Sequence, residues 1–402
     1  MNRWPMRFSR LGLALIVALT VVLSACQPTG SRTVRVYLSF PMSGQPNLGR
    51  SIVKGIQLAF DGIESRIGGT EIVLEVRDNG DENGQWQPEK ELENVQQAVA
   101  DPLAVAYLGP MNSGAAKLSL PITNRAGMIQ ISPSTTWPGL TKPGFAQGEP
   151  AIFYPTGRRN FFRTCSTDDV QGPAAAAWVR DLKFRSFYVL DDGEAYGAGV
   201  SALFAQRAEQ LGLKNVGHQT IDKTALDFTD VLTQVKQARP DVVYFGGTVA
   251  NGAALLVTQM RELGLTAAFM GPDAIVDTSL IDQAQGAAEG VYATFVGAPS
   301  AQLTSVMGRD FYAAFKAKNA EEPEAFAQLG YDAAQVLITA MRQSSTIDRD
   351  SLLAYVMAAA NFEGTVGTFG FDRRGDTTVT LISGSRVRNG AFEFEKLLIE
   401  RQ

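Results

Sequence analysis

Hydroxyl side chains gather at two points of the chain where a small anion could be held. Both lie in the stretch from Val105 to Thr136, VAYLGPMNSGAAKLSLPITNRAGMIQISPSTT. Ser113 stands where a helix N-cap belongs, and Ser132, Ser134, Thr135 and Thr136 form a cluster further on. Hydroxyls beside the free N–H groups of a helix start make a site for a carboxylate. Either loop alone is accounted for by a cap or by turn chemistry. The pair, adjacent and equivalent, points to a site.

Other chemistry is thinly represented. His218 is the only histidine and lies in a strand-like run with no motif around it. The chain carries no Gly-x-Ser-x-Gly elbow, no phosphate-binding loop and no ligand cluster with metal spacing, so hydrolysis, nucleotide use and metal chemistry find no support. No cofactor and no metal are expected. Of the two cysteines, Cys26 and Cys165, the second reads as a small buried hydrophobe with no disulfide partner.

The elements that must position the hydroxyls are legible around them. Val105 to Leu108 is a short apolar run of the kind buried in a parallel sheet, and Gly109-Pro110 breaks it. Leu118, Pro121, Ile122 and Ala126 follow at helical spacing, Gly127 ends the helix, and Met128 to Ile131 is the next strand. Two such strands place Ser113 and Thr135/Thr136 along one edge, outside the carboxyl ends, where open α/β sheets bind ligands. Upstream, Val34 to Phe40 and Glu71 to Asp78 read as strands, with helices from near Gly49 and over Glu89 to Ala100. The order predicts a doubly wound parallel sheet.

A long Gly- and Pro-rich connection runs from Pro138 to Arg159, and Phe161 to Arg163 is a short strand beyond it. A second βα series then follows: helices over Val170 to Leu182, Ala202 to Leu211, Phe228 to Ala238 and Ala253 to Leu263 alternate with strands Ser186 to Leu190, Val216 to Ile221, Val242 to Phe245 and Ala268 to Met270. Gly290 to Phe295 is extended. Three helices come next, near Leu303 to Lys318, Ala325 to Gln343 and Ser351 to Ala359, before extended segments over Gly364 to Phe371, Val379 to Arg388 and Phe392 to Glu400.

Length, composition and the N-terminus set the remaining bounds. The chain of 402 residues has room for two cores, and 45% hydrophobic with 19% charged residues is ordinary for a soluble α/β protein. Its formal charge is −5, and the first 25 residues carry Arg3, Arg7 and Arg10 and no acid. The remainder is therefore more acidic still, which argues against nucleic acid as a partner. A basic stretch to Arg10 and an apolar run from Leu11 to Leu23 make residues 1–25 a targeting segment, too short to span a bilayer comfortably. It ends in Leu23-Ser24-Ala25-Cys26, which resembles the lipobox of bacterial lipoproteins, with Cys26 as lipid attachment point and residues 26–32 as a lipidated tether. An ordinary secretory signal with a chance cysteine is the weaker reading.

The chain as a whole resembles the leucine/isoleucine/valine-binding type of solute-binding protein from branched-chain amino-acid ABC transporters. The matching stretches run in the family's order: PMSG at Pro41, LGPMNSGAA at Leu108, ISPSTTWPGLT at Ile131, FFRTCSTDDVQG at Phe161, DDGEAYGAG at Asp191, RPDVVYFGG at Arg239 and FMGPDAIVD at Phe269. The resemblance implies a type I periplasmic binding protein: two doubly wound parallel-sheet lobes joined by three crossing strands, near Phe161 to Thr164, Tyr292 to Phe295 and Gly364 to Phe371. Residues 33–162 and 296–364 would form one lobe, and 163–295 and 365–402 the other. By position, Ser113 and the Thr135/Thr136 loop would grip a ligand α-carboxylate, Tyr196 would cover the ligand and Asp273 would pair with its α-ammonium. Thr248 and Leu48 stand where the family often has aromatics, Trp137 is bulky beside the hydroxyl loop, and Asp273 is shorter than the family's usual Glu. Taken alone, Pro272-Asp273 is also a turn pair and Tyr196-Gly197 a surface loop.

The function implied is a lipid-anchored, monomeric, extracytoplasmic receptor that takes an amino acid, branched-chain or related, by hinge closure and delivers it to a membrane permease. A ligand sensor of the same fold, binding an amide or a small carboxylic acid for signalling, is the alternative. An enzyme is disfavoured by the absence of catalytic motifs.

Overall fold

The computed structural model describes residues 1, 32–44 and 47–401. The apolar leader, Cys26 and the tether up to Ser31 lie outside the described residues, as do Gln45 and Pro46.

The chain builds two sheets. The first contains β1 (Thr33–Phe40), β2 (Arg66–Ile67), β3 (Thr70–Asp78), β4 (Ala104–Leu108), β5 (Ile129–Ser132) and β6 (Phe161–Arg163), in the order β2-β3-β1-β4-β5-β6. All its pairings are parallel except the short β2–β3 hairpin. Period two along β1 sends Val34, Val36, Leu38 and Phe40 to one face, where they meet Ile52, Ile56 and Phe60 of α1 (Leu48–Asp61). That face is completed by α10 (Ala327–Gln343) and α11 (Arg349–Ala358). Tyr37 points the other way, onto Val95 and Ala98 of α2 (Pro88–Ala100) beside Tyr107 and Met128. Both faces are covered, which is why the strands read as nearly unbroken apolar runs.

The second sheet is ordered β15-β14-β11-β10-β9-β7-β8. Its strands are β7 (Ser186–Asp191), β8 (Lys214–Thr220), β9 (Val242–Gly246), β10 (Ala268–Gly271), β11 (Tyr292–Phe295), β14 (Thr380–Arg388) and β15 (Ala391–Arg401). The strands from β8 to β11 pair in parallel, and β14 and β15 close the edge antiparallel. One face packs on Trp178 and Val179 of α4 (Asp168–Asp181) and Phe204 of α5 (Ala195–Gln210). The other packs on α6 (Thr229–Ala238) and α7 (Ala253–Glu262) through Leu232, Val235, Leu256 and Met260. The remaining pieces are α3 (Ser113–Arg125), α8 (Thr278–Ala284), α9 (Val306–Asn319) and a hairpin of β12 (Phe362–Gly364) with β13 (Gly367–Phe369).

Three departures from the sequence expectation matter for the site. The helix expected over Ala202 to Leu211 begins at Ala195, because Gly197 and Gly199, which read as loop residues, are small for packing rather than for turning. A Cβ at Gly197 would lie 2.4 Å from the Gly246 carbonyl oxygen, and one at Gly199 2.4 Å from the Trp137 ring. The helix N-cap expected at Ser113 is Asn112, one residue earlier. The connection after Pro138 holds two short 3₁₀ turns, Pro138–Leu140 and Ala151–Phe153.

Several carboxyls are buried in these cores. Burial pushes Glu91 up to about 7 despite hydrogen bonds from Ser39, Asn79 and Tyr107. Burial likewise pushes Asp332 up to about 7, against the Thr365 N–H and hydroxyl that both donate to it. The folded protein keeps these protons to about pH 7, whereas the unfolded chain releases them near pH 4. Their stabilising contribution is thus complete below pH 4 and lost as pH rises through 7. Thermal unfolding should give a higher midpoint at pH 5.5 than at pH 8, with each group worth on the order of 2 kcal/mol over that window. Asp332→Asn, which keeps both Thr365 contacts, should reduce the slope; equal midpoints at the two pH values would refute the account.

Candidate functional site

The carboxyl ends of the parallel strands of both sheets face one another, and the loops beyond them meet in a cleft. From the first sheet come Met111, Asn112 and Ser113 after β4 and Ser134 after β5; from the second come Tyr196 at the start of α5, Thr248 after β9, and Asp273 and Ala274 after β10. Phe326, the residue before α10, completes the wall. The cavity they enclose measures about 10 Å³, hardly the room of one water. The lobes are therefore drawn together, leaving no room there for a solute larger than water. A roomier cavity of about 290 Å³ beside α8 and the β14–β15 turn contains none of these residues.

The anion side is built by cross-bracing. Ser113 is buried, and its Oγ accepts the Trp137 N–H at 3.2 Å, joining the start of α3 to the hydroxyl loop. Ser132 Oγ accepts the N–H groups of Ser134 and Thr135. The Thr135 and Thr136 hydroxyls are buried without a hydrogen-bond partner, and neither residue lines the cavity; Ser134 does so in their place. The cause is Arg163, on β6, whose Nη1 donates to the carbonyls of Thr135 at 2.9 Å and Trp137 at 2.8 Å and so fixes the turn. Its Nε donates to Asp376 at 2.7 Å. Burial works to raise the Asp376 carboxyl, but the guanidinium outweighs it and holds the group below the ordinary value.

The long connection braces the same loop from outside. Glu149 accepts the Trp137 indole N–H at 2.8 Å and pairs with Lys117 at 2.9 Å, while the Lys117 ammonium sits 4.7 Å over the indole ring. Trp137 is thereby held against Gly199 on the opposite lobe.

The other side of the cleft is acidic. Asp273 is 1% exposed, and burial pushes its carboxyl up to about 7. Tyr196, buried in the first turn of α5, donates its hydroxyl to Asp273 Oδ1 and accepts the Ala274 N–H at 3.2 Å. Tyr196 therefore orients Asp273. Asp273 Oδ2 has no partner. Thr248 is tied to its own loop by accepting the Asn251 N–H at 3.2 Å.

Two residues were not singled out from sequence. Asp168, the first residue of α4, is fully buried, with neither carboxylate oxygen in a well-formed hydrogen bond and the Thr136 hydroxyl close enough to favour its ionised form. Burial first, then the charge of Asp273, raises its pKa well above the usual carboxylate range. In sequence the Thr167-Asp168-Asp169 triplet reads as ordinary helix-start chemistry, which Asp169 in fact supplies by pairing with Lys142 at 2.8 Å. Phe326 has a left-handed backbone, φ +70°, and packs edge-on against Phe295 with centroids 5.1 Å apart; nothing in its neighbours signals that conformation. Cys165 is buried, its thiol pushed up by burial, as a small core residue. His218 contacts the buried Asp191 carboxylate at 2.5 Å, on β8 at the outer edge of the second sheet. Among the described residues no group of His, Cys, Asp and Glu is placed to hold a metal ion.

Two α/β lobes whose strand ends oppose hydroxyls to carboxylates across a closable cleft define a clamp for a small solute. The chain belongs to the periplasmic binding protein family, whose model matches residues 33–391. It is similar to a Leu/Ile/Val-binding protein homolog of Brucella abortus, 28% identical over 85% of this chain and 87% of that one. In fold it is similar to a leucine-binding protein of Thermotoga maritima, with 24% identity and a TM-score of 0.79 over 90% of this chain and 98% of that one. It is also similar to an ABC-transporter solute-binding protein of R. palustris in complex with benzoate, with 22% identity and a TM-score of 0.78 over 92% and 97%. The fold is the type I periplasmic binding protein fold, related to Leu/Ile/Val-binding proteins of ABC transporters, and it is that of a non-catalytic, extracytoplasmic solute-binding protein.

The Arg163–Asp376 pair is the brace of the anion side. Arg163→Met should cost about 3–5 kcal/mol by stranding a buried carboxylate, read as a lower denaturant midpoint. Adding Asp376→Leu should recover a large part of the loss. A double variant as unstable as the single would show that the guanidinium's carbonyl contacts, and not the ion pair, carry the stability.

Proposed function

We propose that this protein captures an amino acid, branched-chain or related, between its two lobes and delivers it to an ABC permease, working as a monomer anchored to the membrane through lipid on Cys26. The observation that carries the reading is the pair of buried acids Asp168 and Asp273, of which Asp273 has one oxygen held by Tyr196 and the other, Oδ2, left without a hydrogen bond, on the lobe that faces a loop rich in hydroxyls. An unpaired buried carboxylate is costly and calls for a cation. An α-ammonium meets that need and an α-carboxylate suits the hydroxyl side. A ligand bearing only a carboxylate, such as benzoate, would bring no cation to these acids. The curated relatives named for Leu/Ile/Val binding support the same ligand class. Met111, Phe326 and Ala274 offer an apolar wall for an aliphatic side chain, with Thr248 at its rim. In this reading the lobe built on the first sheet, which includes the β12–β13 hairpin, moves as one body and the lobe built on the second sheet as the other.

The test is thermal unfolding of residues 27–402, freed of bound solute by unfolding and refolding, against aliphatic L-amino acids, their amides and benzoate. A ligand at one hundred times its dissociation constant adds about 2.7 kcal/mol, which moves the midpoint by several degrees. Aliphatic amino acids should give the shift, and Asp273→Asn should weaken binding by a few kcal/mol. A response only to benzoate or to amides would overturn the reading and favour a sensor or carrier of another ligand class.

Affinity should also depend on pH. Ammonium binding requires the ionised Asp273, whose carboxyl burial raises to about 7, so affinity should fall as pH drops below 7, approaching tenfold per unit for one displaced proton. A flat profile between pH 5 and 8 would remove Asp273 from the ammonium site.

The anchor is tested separately. In cells fed a radiolabelled fatty acid, the protein should take up label and fractionate with membranes, and Cys26→Ser should abolish both. Label on the Ser variant would contradict lipidation at Cys26.

A further inference from the structure

The turn that carries Asp273 continues, four residues on, into a contact across the cleft. Asp277 is fully buried, and its carboxylate serves both lobes at once. Oδ1 accepts the Ser279 N–H of its own segment at 2.8 Å. Oδ2 accepts the N–H groups of Asn47 at 2.8 Å and Leu48 at 3.2 Å, where α1 begins on the opposite lobe. Thr278 extends the contact: its N–H and hydroxyl donate to Glu324, and its hydroxyl accepts from Asn47 Nδ2 at 3.2 Å. Glu324 is in turn fixed to α1 by donating its N–H to Ser51 Oγ at 3.0 Å. The Asp277-Thr278 dipeptide is thus gripped between the start of α1 and the segment before α10.

Burial raises the Asp277 carboxyl above its ordinary value, and the N–H groups of Ser279, Asn47 and Leu48 oppose that rise. An ionised acceptor on the N–H groups that open a helix is favoured both by hydrogen bonding and by the helix dipole. Asp277 does not line the cavity, so none of this depends on touching solute. It is nevertheless rigidly joined to Asp273, since Val276 N–H donates to the Asp273 carbonyl at 3.0 Å and Ile275 is fully buried. The acid facing the solute and the acid facing the other lobe therefore move together.

We infer that Asp277 is the closure latch of the clamp: a positioning residue that holds the lobes shut around a bound solute and sets how long it stays, without contacting it. The inference rests on the two-lobe clamp proposed above.

Asp277→Asn tests it, because the amide keeps one acceptor for Ser279 and loses the one facing Asn47 and Leu48. Two readouts are taken. In stopped-flow binding with L-leucine as probe, the dissociation rate should rise about tenfold while the association rate changes less than about twofold. In hydrogen exchange without any solute, the Asn47 and Leu48 amides should lose protection while the sheet amides keep theirs. Thr278→Val, which removes only the bridging hydroxyl, should shift both readouts in the same direction and serves if the Asn variant does not fold. Failure of wild type to bind L-leucine would count against the ligand proposed above, and the exchange measurement would then decide the latch alone. Unchanged exchange at Asn47 and Leu48, or a loss of affinity confined to the association rate, would overturn the latch.

Discussion

One guanidinium organises this molecule. Arg163 ends the last strand of the first sheet, is wholly inaccessible to solvent, and must find a partner for each of its donors where it lies. It finds Asp376 on the segment that leads to β14, the Thr141 hydroxyl on the long connection, and the carbonyls of Thr135 and Trp137 on the hydroxyl loop. One side chain thus ties the first passage of the chain between the sheets to the last. It also determines which atoms of the hydroxyl loop face the cleft. A hydrophobic residue there would bury more cheaply, but it would not hold three separate segments in one orientation.

The cleft follows from an imbalance that this brace creates. On one lobe, backbone donors and hydroxyls gather at the ends of β4 and β5. On the other, Asp168, Asp273 and the Tyr196 hydroxyl are packed close enough that Asp273 raises the pKa of Asp168. The Tyr244 hydroxyl lies in the same neighbourhood, buried and unpartnered. Each side keeps atoms without a hydrogen bond, Asp273 Oδ2 among them. In the reading proposed above, groups of opposite need on the two lobes favour closure around a zwitterion. That is the thermodynamic requirement for a receptor whose shape reports its occupancy.

Much of this was legible in sequence because parallel strands covered on both faces leave unbroken apolar runs such as AVAYL in β4 and VVYFG in β9, and each is punctuated by Gly or Pro at its carboxyl end. The loops that follow are where binding residues must lie, so Ser113, Tyr196, Thr248 and Asp273 could be named and are brought into one cleft. What stayed hidden depends on contacts distant in sequence. Arg163 looks like one residue of a short strand until Asp376 arrives beside it. Glycine has two uses, and in α5 the packing use was taken for the turning use. Thr135 and Thr136 differ from Ser134 only in which way the turn is rotated, and a residue 27 to 28 positions away decides that rotation. Asp168 was concealed by Asp169, whose first-turn role explains both letters of the pair.

The long connection between β5 and β6 bears on specificity rather than on fold. Some of its residues satisfy themselves against the first sheet's lobe: Tyr154 donates to the Leu140 carbonyl, and the Thr156 N–H and hydroxyl donate to Asn124. Others reach further, Thr141 to Asp376 and Lys142 to Asp169, while Glu149 holds the Trp137 indole with Lys117 of α3 beside it. The ring so held packs directly against Gly199, where a Cβ would lie 2.4 Å from it. The separation at which the clamp comes to rest is therefore set partly outside the solute site. A side chain at Gly199 would collide with the Trp137 ring, so this contact limits how the two lobes can pack even though neither residue lines the cavity.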